Sequence, residues 1–339
     1  MENNFLKPPK SWEDPATHYV HAINSEWYRL ITKLQSEFAY STVNFYSKKN
    51  MIFMFLPITT GSISSPIGFG SDSKPIKVNI LGQDTYLVDS MQFYLEYSCR
   101  LHSKGCYYIA PSFRGEESDQ NHLNEFFHSE AEILGDLNDV INFVDEYITS
   151  LCNHFLETSY EDIVKFCVTT DHIKKFLGLK SIPRCKFEDA LKVLDNNPLY
   201  IKNHDNKYRT ITKEGEKQLM NHFGGFVWLT HFDYLSVPFY QKASDSSMRT
   251  ALCADLLMGV GETVGSGERD SSGTETLKAL QYHNVSPENY NWYVNMKDQV
   301  PAQTSGFGMG IERFLLWLIK HNDIRDIPLL PRLGKKMYF

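Results

Sequence analysis

The stretch SGFGMGIERFLLWL, residues 305–318, combines three glycines with the start of an amphipathic helix. The helix begins near Gly310, and its core face carries Ile311, Phe314, Leu315 and Leu318. Glycines let a backbone or a ligand approach closely. A helix N-terminus offers unpaired N–H groups and a partial positive charge, to which Arg313 adds a full one. The stretch therefore predicts an anion site, but not a dinucleotide site, because the third glycine is misplaced for GxGxxG and no βαβ unit follows.

A second stretch, FRGEESDQNHLNEFF at 113–127, predicts two strands joined by a polar loop. Such a hairpin projects arginine, glutamate and histidine side chains from one tip. Arg114 has the planar fork that clamps a phosphate, and a nearby phenylalanine such as Phe126 can stack on a base. Taken alone, this stretch fits an ordinary solvated hairpin loop better.

The third stretch, DLLMGVGETVGSGER at 255–269, places two carboxylates at the two ends of a strand and turn. Asp255 and Glu262 can hold a hard cation such as Mg²⁺ together with phosphate oxygens. Arg269 can bind a substrate carboxylate bidentately. Two unconnected surface acids are the ordinary alternative.

The fourth stretch, DSMQFYLE at 89–96, has Gln92 and Glu96 four residues apart, on one face of a helix. They offer an acceptor and a negative charge, which suit an ammonium or an amide group. Taken singly, this stretch is only a polar helix face.

Composition limits the class of protein. The chain has 339 residues, of which 42% are hydrophobic, so it is globular and large enough for an ample core. Its net charge of −7 disfavours nonspecific nucleic-acid binding. None of its six cysteines forms a CxxC pair, which disfavours zinc and favours a reducing compartment. Without a signal-peptide core or a long apolar run, we expect a soluble, cytoplasmic protein with no membrane partner.

The order of the predicted elements indicates an α+β fold rather than a parallel doubly wound sheet. Predicted helices cover 24–38, 137–156, 187–194 and 274–283 and begin again near 310. Predicted strands cover 51–57, 107–114, 125–134, 225–230, 234–242 and 251–260, with a hairpin at 76–88. Residues 1–23 resemble a loose lead-in, 61–75 a glycine- and serine-rich lid or surface loop, and 157–215 a peripheral insertion.

The four stretches occur together and in order, and in that order they resemble the class II aminoacyl-tRNA synthetases, asparaginyl/aspartyl branch. FRGEESDQNHLNEFF is similar to the family's second motif, and SGFGMGIERFLLWL followed by IRDIPLLPR to its third motif and tail. GVGETVGSGERD and SPENYNWYVNMKDQVPAQTSGFG resemble the segments that precede the third motif. The helix at 24–38 with Pro57 resembles the first motif, which forms the family's dimer interface.

The resemblance implies one catalytic domain over 24–339, an antiparallel sheet flanked by helices, with ATP and Mg²⁺ as cofactors. The nucleotide would contact Arg114 (α-phosphate and charge at the transition state), Glu116 (adenine edge), Phe126 (ring), His122, Gly310 and Arg313 (far end of the bent ATP). Asp255 and Glu262 would hold the metal, and the amino acid would contact Ser90, Gln92, Glu96 and Arg269. The aspartyl pattern has lysine where Leu95 stands.

The resemblance also bears on the reaction. The family's tRNA-charging members carry an anticodon-binding domain before the first motif, and here only the lead-in stands there. We therefore expect a homodimeric, AMP-forming ligase of the asparagine synthetase type, which activates aspartate and passes it to ammonia or another small amine. Asparaginyl-tRNA synthetase-like charging of tRNA is the less favoured alternative, and a noncatalytic amino-acid-binding paralogue is the third. Retention of Arg114, Arg313, Asp255 and Glu262 argues against the third.

Overall fold

The computed structural model describes residues 5–65, 69 and 73–334. The remaining positions lie outside the described residues. They include parts of the predicted loop 61–75 and the ends of the predicted lead-in and catalytic domain.

Helices and strands alternate irregularly along the chain. The helices are α1 (His18–Ile23), α2 (Glu26–Lys48), α3 (Gln92–Cys99), α4 (Leu137–Thr158), α5 (Tyr160–Phe166), α6 (Asp171–Leu177), α7 (Phe187–Val193), α8 (Lys213–His222), α9 (Gly273–Tyr282), α10 (Asn291–Gln299) and α11 (Ile311–Ile319). The strands are β1 (Ile52–Phe53), β2 (Thr59–Thr60), β3 (Ile76–Ile80), β4 (Gln83–Leu87), β5 (Cys106–Phe113), β6 (Glu125–Leu134), β7 (Arg184–Lys186), β8 (Ile201–His204), β9 (Tyr208–Ile211), β10 (Phe226–Thr230), β11 (Cys253–Met258), β12 (Gly261–Glu268) and β13 (Thr304–Gly310).

Among the described residues, eight strands form the main sheet, in the order β1-β5-β6-β13-β12-β11-β10-β7. The six strands from β5 to β10 are antiparallel, and β1 and β7 pair in parallel at the two edges. Two small sheets, β2-β4-β3 and β8-β9, lie beside it. The predicted α+β architecture is therefore confirmed.

One face of the sheet packs on α2, α4 and α11 and forms the largest core. The predicted apolar stripe of α4 is buried throughout, because residues three and four apart share one helix face. Strand residues that point the other way alternate with these core residues and line the opposite face. Within the described residues, every helix is too short or too polar to span a bilayer.

Residues 157–215 were predicted to be a peripheral insertion, but they pack into the main core and pair with the main sheet. Their first half packs into the largest core through Ile163 and Ile173, which are fully buried. Strand β7 extends the main sheet beside β10, and α7, α8 and the β8–β9 hairpin share a separate apolar cluster with β10 and β11. The segment therefore covers one end of the sheet's open face.

The predicted loose lead-in also needs correction. Trp12 is buried, and its Nε1 donates to Asp326 Oδ1 at 2.7 Å, while α1 follows at His18–Ile23. The contact between Trp12 and Asp326 joins residues more than three hundred positions apart, so no local sequence pattern predicts it.

Several predicted strands differ from the structure. Of the predicted strand 51–57 only β1 forms, and 234–242 begins with a short 3-10 turn at Tyr234–Ser236. Strands β12 and β13 were not predicted, since glycine has low strand propensity and both are glycine-rich.

The N-terminus of α4 offers a test of local stability. Asp136 accepts hydrogen bonds from the backbone amides of Asn138 (2.7 Å) and Asp139 (3.0 Å), and Asp139 Oδ2 accepts from the Asp136 amide at 2.9 Å. We expect Asp136→Ala to lower the free energy of unfolding by about 1 kcal/mol, measured by denaturant titration. Asn153→Ala on the exposed side of the same helix is the control, and equal losses in the two variants would contradict the capping role.

Candidate functional site

The open face of the sheet carries the site, because β6 alternates strictly there. Phe126, His128, Glu130 and Glu132 point to this face. On the neighbouring strand β13 their register partners are glycines: Gly306 pairs with Glu132, Gly308 with Glu130 and Gly310 with His128.

Strand β12, which pairs with β13, adds two more glycines: Gly265 lies beside Gly308, and Gly267 lies beside Gly306. A Cβ on Gly308 would lie 3.0 Å from Glu130 Oε1, and one on Gly306 would lie 2.8 Å from the Ala131 carbonyl oxygen and collide with the Glu132 carboxylate. A Cβ on Gly267 would collide with Gln241. The four glycines, here called the glycine floor, therefore leave the room that the polar side chains occupy.

Arg269 and Glu132 form a buried ion pair at one end of the floor. Arg269 Nε lies 3.1 Å from Glu132 Oε1 and its Nη2 3.2 Å from Oε2, while Nη1 donates to Gln241 Oε1 at 3.0 Å. Burial raises the pKa of Glu132 to about 7, although Arg269 opposes the shift. The predicted substrate ligand Arg269 thus already shares its guanidinium with a carboxylate of the protein.

Glu130 sits one register step along the floor. It accepts from Ser90 Oγ at 2.7 Å and from the Tyr108 hydroxyl, and His128 Nδ1 lies 3.0 Å from its Oε1. Burial alone would raise the pKa of Glu130, but the contacts with His128, Tyr108 and Ser90 outweigh burial and hold the pKa below its usual value. Glu130 is therefore a carboxylate at neutral pH.

Two predicted ligands keep buried polar atoms unpaired. Gln92 Nε2, close to the Tyr240 hydroxyl, and Arg114 Nε make no hydrogen bond of acceptable geometry to any described residue. A buried polar atom without a partner is costly, so such atoms are common where a ligand binds.

Arg114 is positioned at the end of β5. Its backbone amide donates to the Asn124 carbonyl at 3.0 Å, and its Cζ lies 5.4 Å from the centre of the Phe126 ring. Glu116 Oε2 accepts from the Lys74 amide at 3.2 Å, which ties the hairpin loop to the end of the 61–75 segment. Arg114 and Phe126 are therefore in contact, and Glu116 stands two residues along the same loop; their role as nucleotide ligands stays a prediction.

The other predicted nucleotide ligands occupy two places. Arg313, in the first turn of α11 after Gly310, donates to the Glu262 carbonyl oxygen. His122 lies on the hairpin loop, where its Nδ1 is 2.8 Å from Asp119 Oδ1. Glu312 accepts the Phe127 amide at 3.1 Å and so fastens α11 to β6.

Asp255 and Glu262 reach the space over Gly265 from neighbouring strands. A Cβ on Gly265 would lie 3.0 Å from Glu262 Oε1 and 3.6 Å from Asp255 Oδ1. Burial, and then the nearby Glu262 and Glu216, raises the pKa of Asp255 well above its usual value. Two converging carboxylates whose charges repel each other suit a hard divalent cation. In the described part of the chain, no group of three or more His, Cys, Asp or Glu side chains has metal-binding geometry.

Glu96 is already engaged by side chains of the protein, and its expected role as a direct substrate ligand stays a prediction. Its carboxylate is buried and engaged by Lys297, Arg100 and Tyr293. The helical spacing to Gln92 is present, since both residues lie on α3.

Three residues of the candidate site were not predicted from the sequence: Glu130, Glu132 and Gln241. The period of two in His128, Glu130 and Glu132 was a usable signal, since charged residues at alternate positions of a strand share one face. Gln241 lies in an irregular segment, bridged to Arg269, and has no such signal.

Comparison with known proteins identifies the family. The family model described as tRNA synthetases class II (D, K and N) matches residues 14–334. The asparagine–tRNA ligase of Malacoplasma penetrans is 26% identical over 322 residues, covering 90% of this chain and 70% of that protein. The probable cytoplasmic asparagine–tRNA ligase of Encephalitozoon cuniculi is 29% identical over 264 residues, covering 76% of this chain but only 58% of that protein.

Among solved structures, the asparaginyl-tRNA synthetase of Pyrococcus horikoshii in complex with asparaginyl-adenylate superposes with a TM-score of 0.86. It is 23% identical, and the match covers 96% of this chain and 73% of that one. The fold predicted from the motifs is therefore confirmed, and the chain belongs to the class II tRNA synthetases of the D, K and N type.

Proposed function

We propose that the chain activates asparagine with ATP, forming asparaginyl-adenylate and pyrophosphate, and then transfers the asparaginyl group to tRNA. The observation that carries the choice of amino acid is the bidentate contact of Arg269 with Glu132. This proposal replaces aspartate amidation, the reaction favoured from the sequence, with its tRNA-charging alternative.

The charges around Arg269 favour a neutral side chain in the substrate. An aspartate side chain would have to share the guanidinium with Glu132 and would be repelled by it and by Glu130, at short range and low dielectric. A carboxamide adds no charge, and it offers an oxygen to Arg269 and an NH₂ group to a carboxylate. Leu95, where the aspartyl pattern has lysine, is buried and supplies no second cation.

The rest of the pocket suits the common part of an amino acid. Glu130, with Ser90 beside it, supplies acceptors for the ammonium group. Gln92 has a free amide nitrogen for a substrate oxygen. The carboxylate to be activated would then point along the glycine floor toward Arg114.

The nucleotide side of the site supplies positive charge where the reaction needs it. In adenylation a carboxylate oxygen attacks the α-phosphorus and pyrophosphate leaves, so negative charge accumulates at the phosphate. Arg114 has a buried, unpaired Nε that can donate to the charged phosphate. Arg313, near the Glu262 carbonyl, can bind the pyrophosphate that leaves. Positioning and charge stabilisation then suffice without a protein nucleophile.

Asp255 and Glu262 fit Mg²⁺, since their oxygens converge over Gly265. When bound there, the ion would neutralise phosphate charge and orient the polyphosphate.

The relatives support tRNA as the acceptor, because the curated proteins named above are asparagine–tRNA ligases at 26% and 29% identity. The hydroxyl of the tRNA end would attack the acyl carbon of the adenylate, and AMP would leave. Amide formation with ammonia requires the same adenylate and is an outcome of the test below.

ATP–pyrophosphate exchange across a panel of amino acids tests the first half of the proposal. We expect exchange with asparagine and little with aspartate. Arg114→Ala should reduce the rate by about 100- to 1000-fold while leaving the circular dichroism spectrum unchanged. Transfer is then assayed with asparagine tRNA and with ammonium. Exchange with aspartate alone, followed by release of asparagine from ammonium, would overturn the proposal.

The pH dependence of selectivity tests the role of Glu132. Its pKa is raised to about 7, so below that pH the protonated side chain no longer repels a second carboxylate. We expect the ratio of kcat/KM for aspartate to that for asparagine to fall above neutral pH, by up to about tenfold per pH unit. Glu132→Gln is the control, since it should remove this dependence. A ratio that stays constant across the pH range in the unmodified protein would contradict the role.

We also propose a homodimer through the face formed by α2 and the edge strand β1. An edge strand has unpaired backbone groups, and here apolar side chains are exposed beside it: Tyr40, Val43, Ile52, Phe53 and Phe55, the last 94% exposed. This is the part of the chain that resembles the first motif.

Light scattering after size exclusion tests the dimer. We expect a dimer for the unmodified protein and a monomer for Phe55→Glu, because a carboxylate buried without a partner opposes association. Leu199→Glu, on an exposed residue of the 157–215 segment, is the control and should remain dimeric. A dimeric Phe55→Glu variant would place the interface elsewhere.

A further inference from the structure

Lys297 is a charged residue at a fully buried position, where apolar side chains are usual. It lies in α10, its side chain is 0% exposed, and it packs beside Tyr293, with Nζ 4.5 Å from the ring centre. Its Nζ lies 2.9 Å from Glu96 Oε1 and donates to the Asp270 carbonyl oxygen at 2.6 Å. Burying a lysine costs several kcal/mol unless it is paired and hydrogen-bonded, so these two contacts fix where the side chain can be.

The first contact reaches the helix that carries Gln92. Glu96 is held by Lys297, by Arg100 Nη2 at 3.2 Å and by the Tyr293 hydroxyl. Gln92 precedes Glu96 by one helical turn on α3. Fixing the Glu96 carboxylate therefore fixes the rotation of α3 and the place of Gln92.

The second contact reaches the opposite wall of the amino-acid pocket. Asp270 follows Arg269 in the chain, just after β12 ends at Glu268. A hydrogen bond to the Asp270 carbonyl therefore restrains the backbone from which Arg269 extends to Glu132.

We propose that Lys297 is a positioning residue that ties the Gln92 wall to the Arg269 wall and thereby sets the affinity for the amino acid. It touches neither the nucleotide-binding residues around Arg114 nor the carboxylates at Asp255. The inference rests on the proposed function for the identity of the site, but it applies to whichever amino acid the site activates.

Lys297→Met tests the inference because methionine keeps the apolar stem and removes both contacts, while Glu96 stays paired with Arg100. In ATP–pyrophosphate exchange we expect the KM for asparagine to rise by about 10- to 100-fold. The KM for ATP and kcat should stay within about threefold, and Lys297→Arg should recover part of the affinity. Lys278→Met, on the exposed face of α9, is the matched control and should behave as the unmodified protein.

An unchanged KM for asparagine in Lys297→Met would overturn the inference, and so would equal increases in the KM for both substrates. If that variant does not fold, Glu96→Gln replaces it, since the amide keeps the shape but weakens the hold on Lys297, and the same increase confined to the amino acid is expected. If the unmodified protein exchanges with aspartate, the proposed substrate is wrong, and the inference is then decided by the KM for aspartate.

Discussion

Four glycines on one face of the central sheet provide the space in which the whole site is built. Gly265, Gly267, Gly306 and Gly308 lie in register on two neighbouring strands. A side chain at any of them would meet a polar group of the site or the backbone beside it. Glycine lowers strand stability, so the sheet must gain its stability from the other face, where α2, α4 and α11 cover an apolar surface. One face of the sheet therefore stabilises the fold, and the other carries the candidate site.

Several charged groups on the open face are paired with one another before any ligand arrives. Arg269 is paired with Glu132, and Glu130 is held by Ser90 and His128. Buried charges are costly unless ion pairs or hydrogen bonds compensate them. In the function proposed above, these pairs favour a neutral substrate side chain, because an added charge would disturb their balance.

Sequence reasoning found the motifs and missed parts of the pocket, for a physical reason. Arg114, Glu116 and Phe126 stand in one short hairpin, and the structure brings them together. Helical spacing placed Gln92 and Glu96 on one face of a helix, but it does not specify what packs against that face. Here the packing partner is Lys297, two hundred residues away in the chain.

The sequence by itself determined the family, the order of the motifs and the α+β class, and it predicted residues suited to phosphate, metal and amino acid. These follow from local patterns, which depend on residues close together in the chain. Tertiary structure alone decided that Arg269 is shared with Glu132, that the segment 157–215 adds a strand to the main sheet, and that the lead-in is fastened by Trp12. Such contacts join distant residues, and they form because buried charges and polar groups need partners that local sequence does not specify.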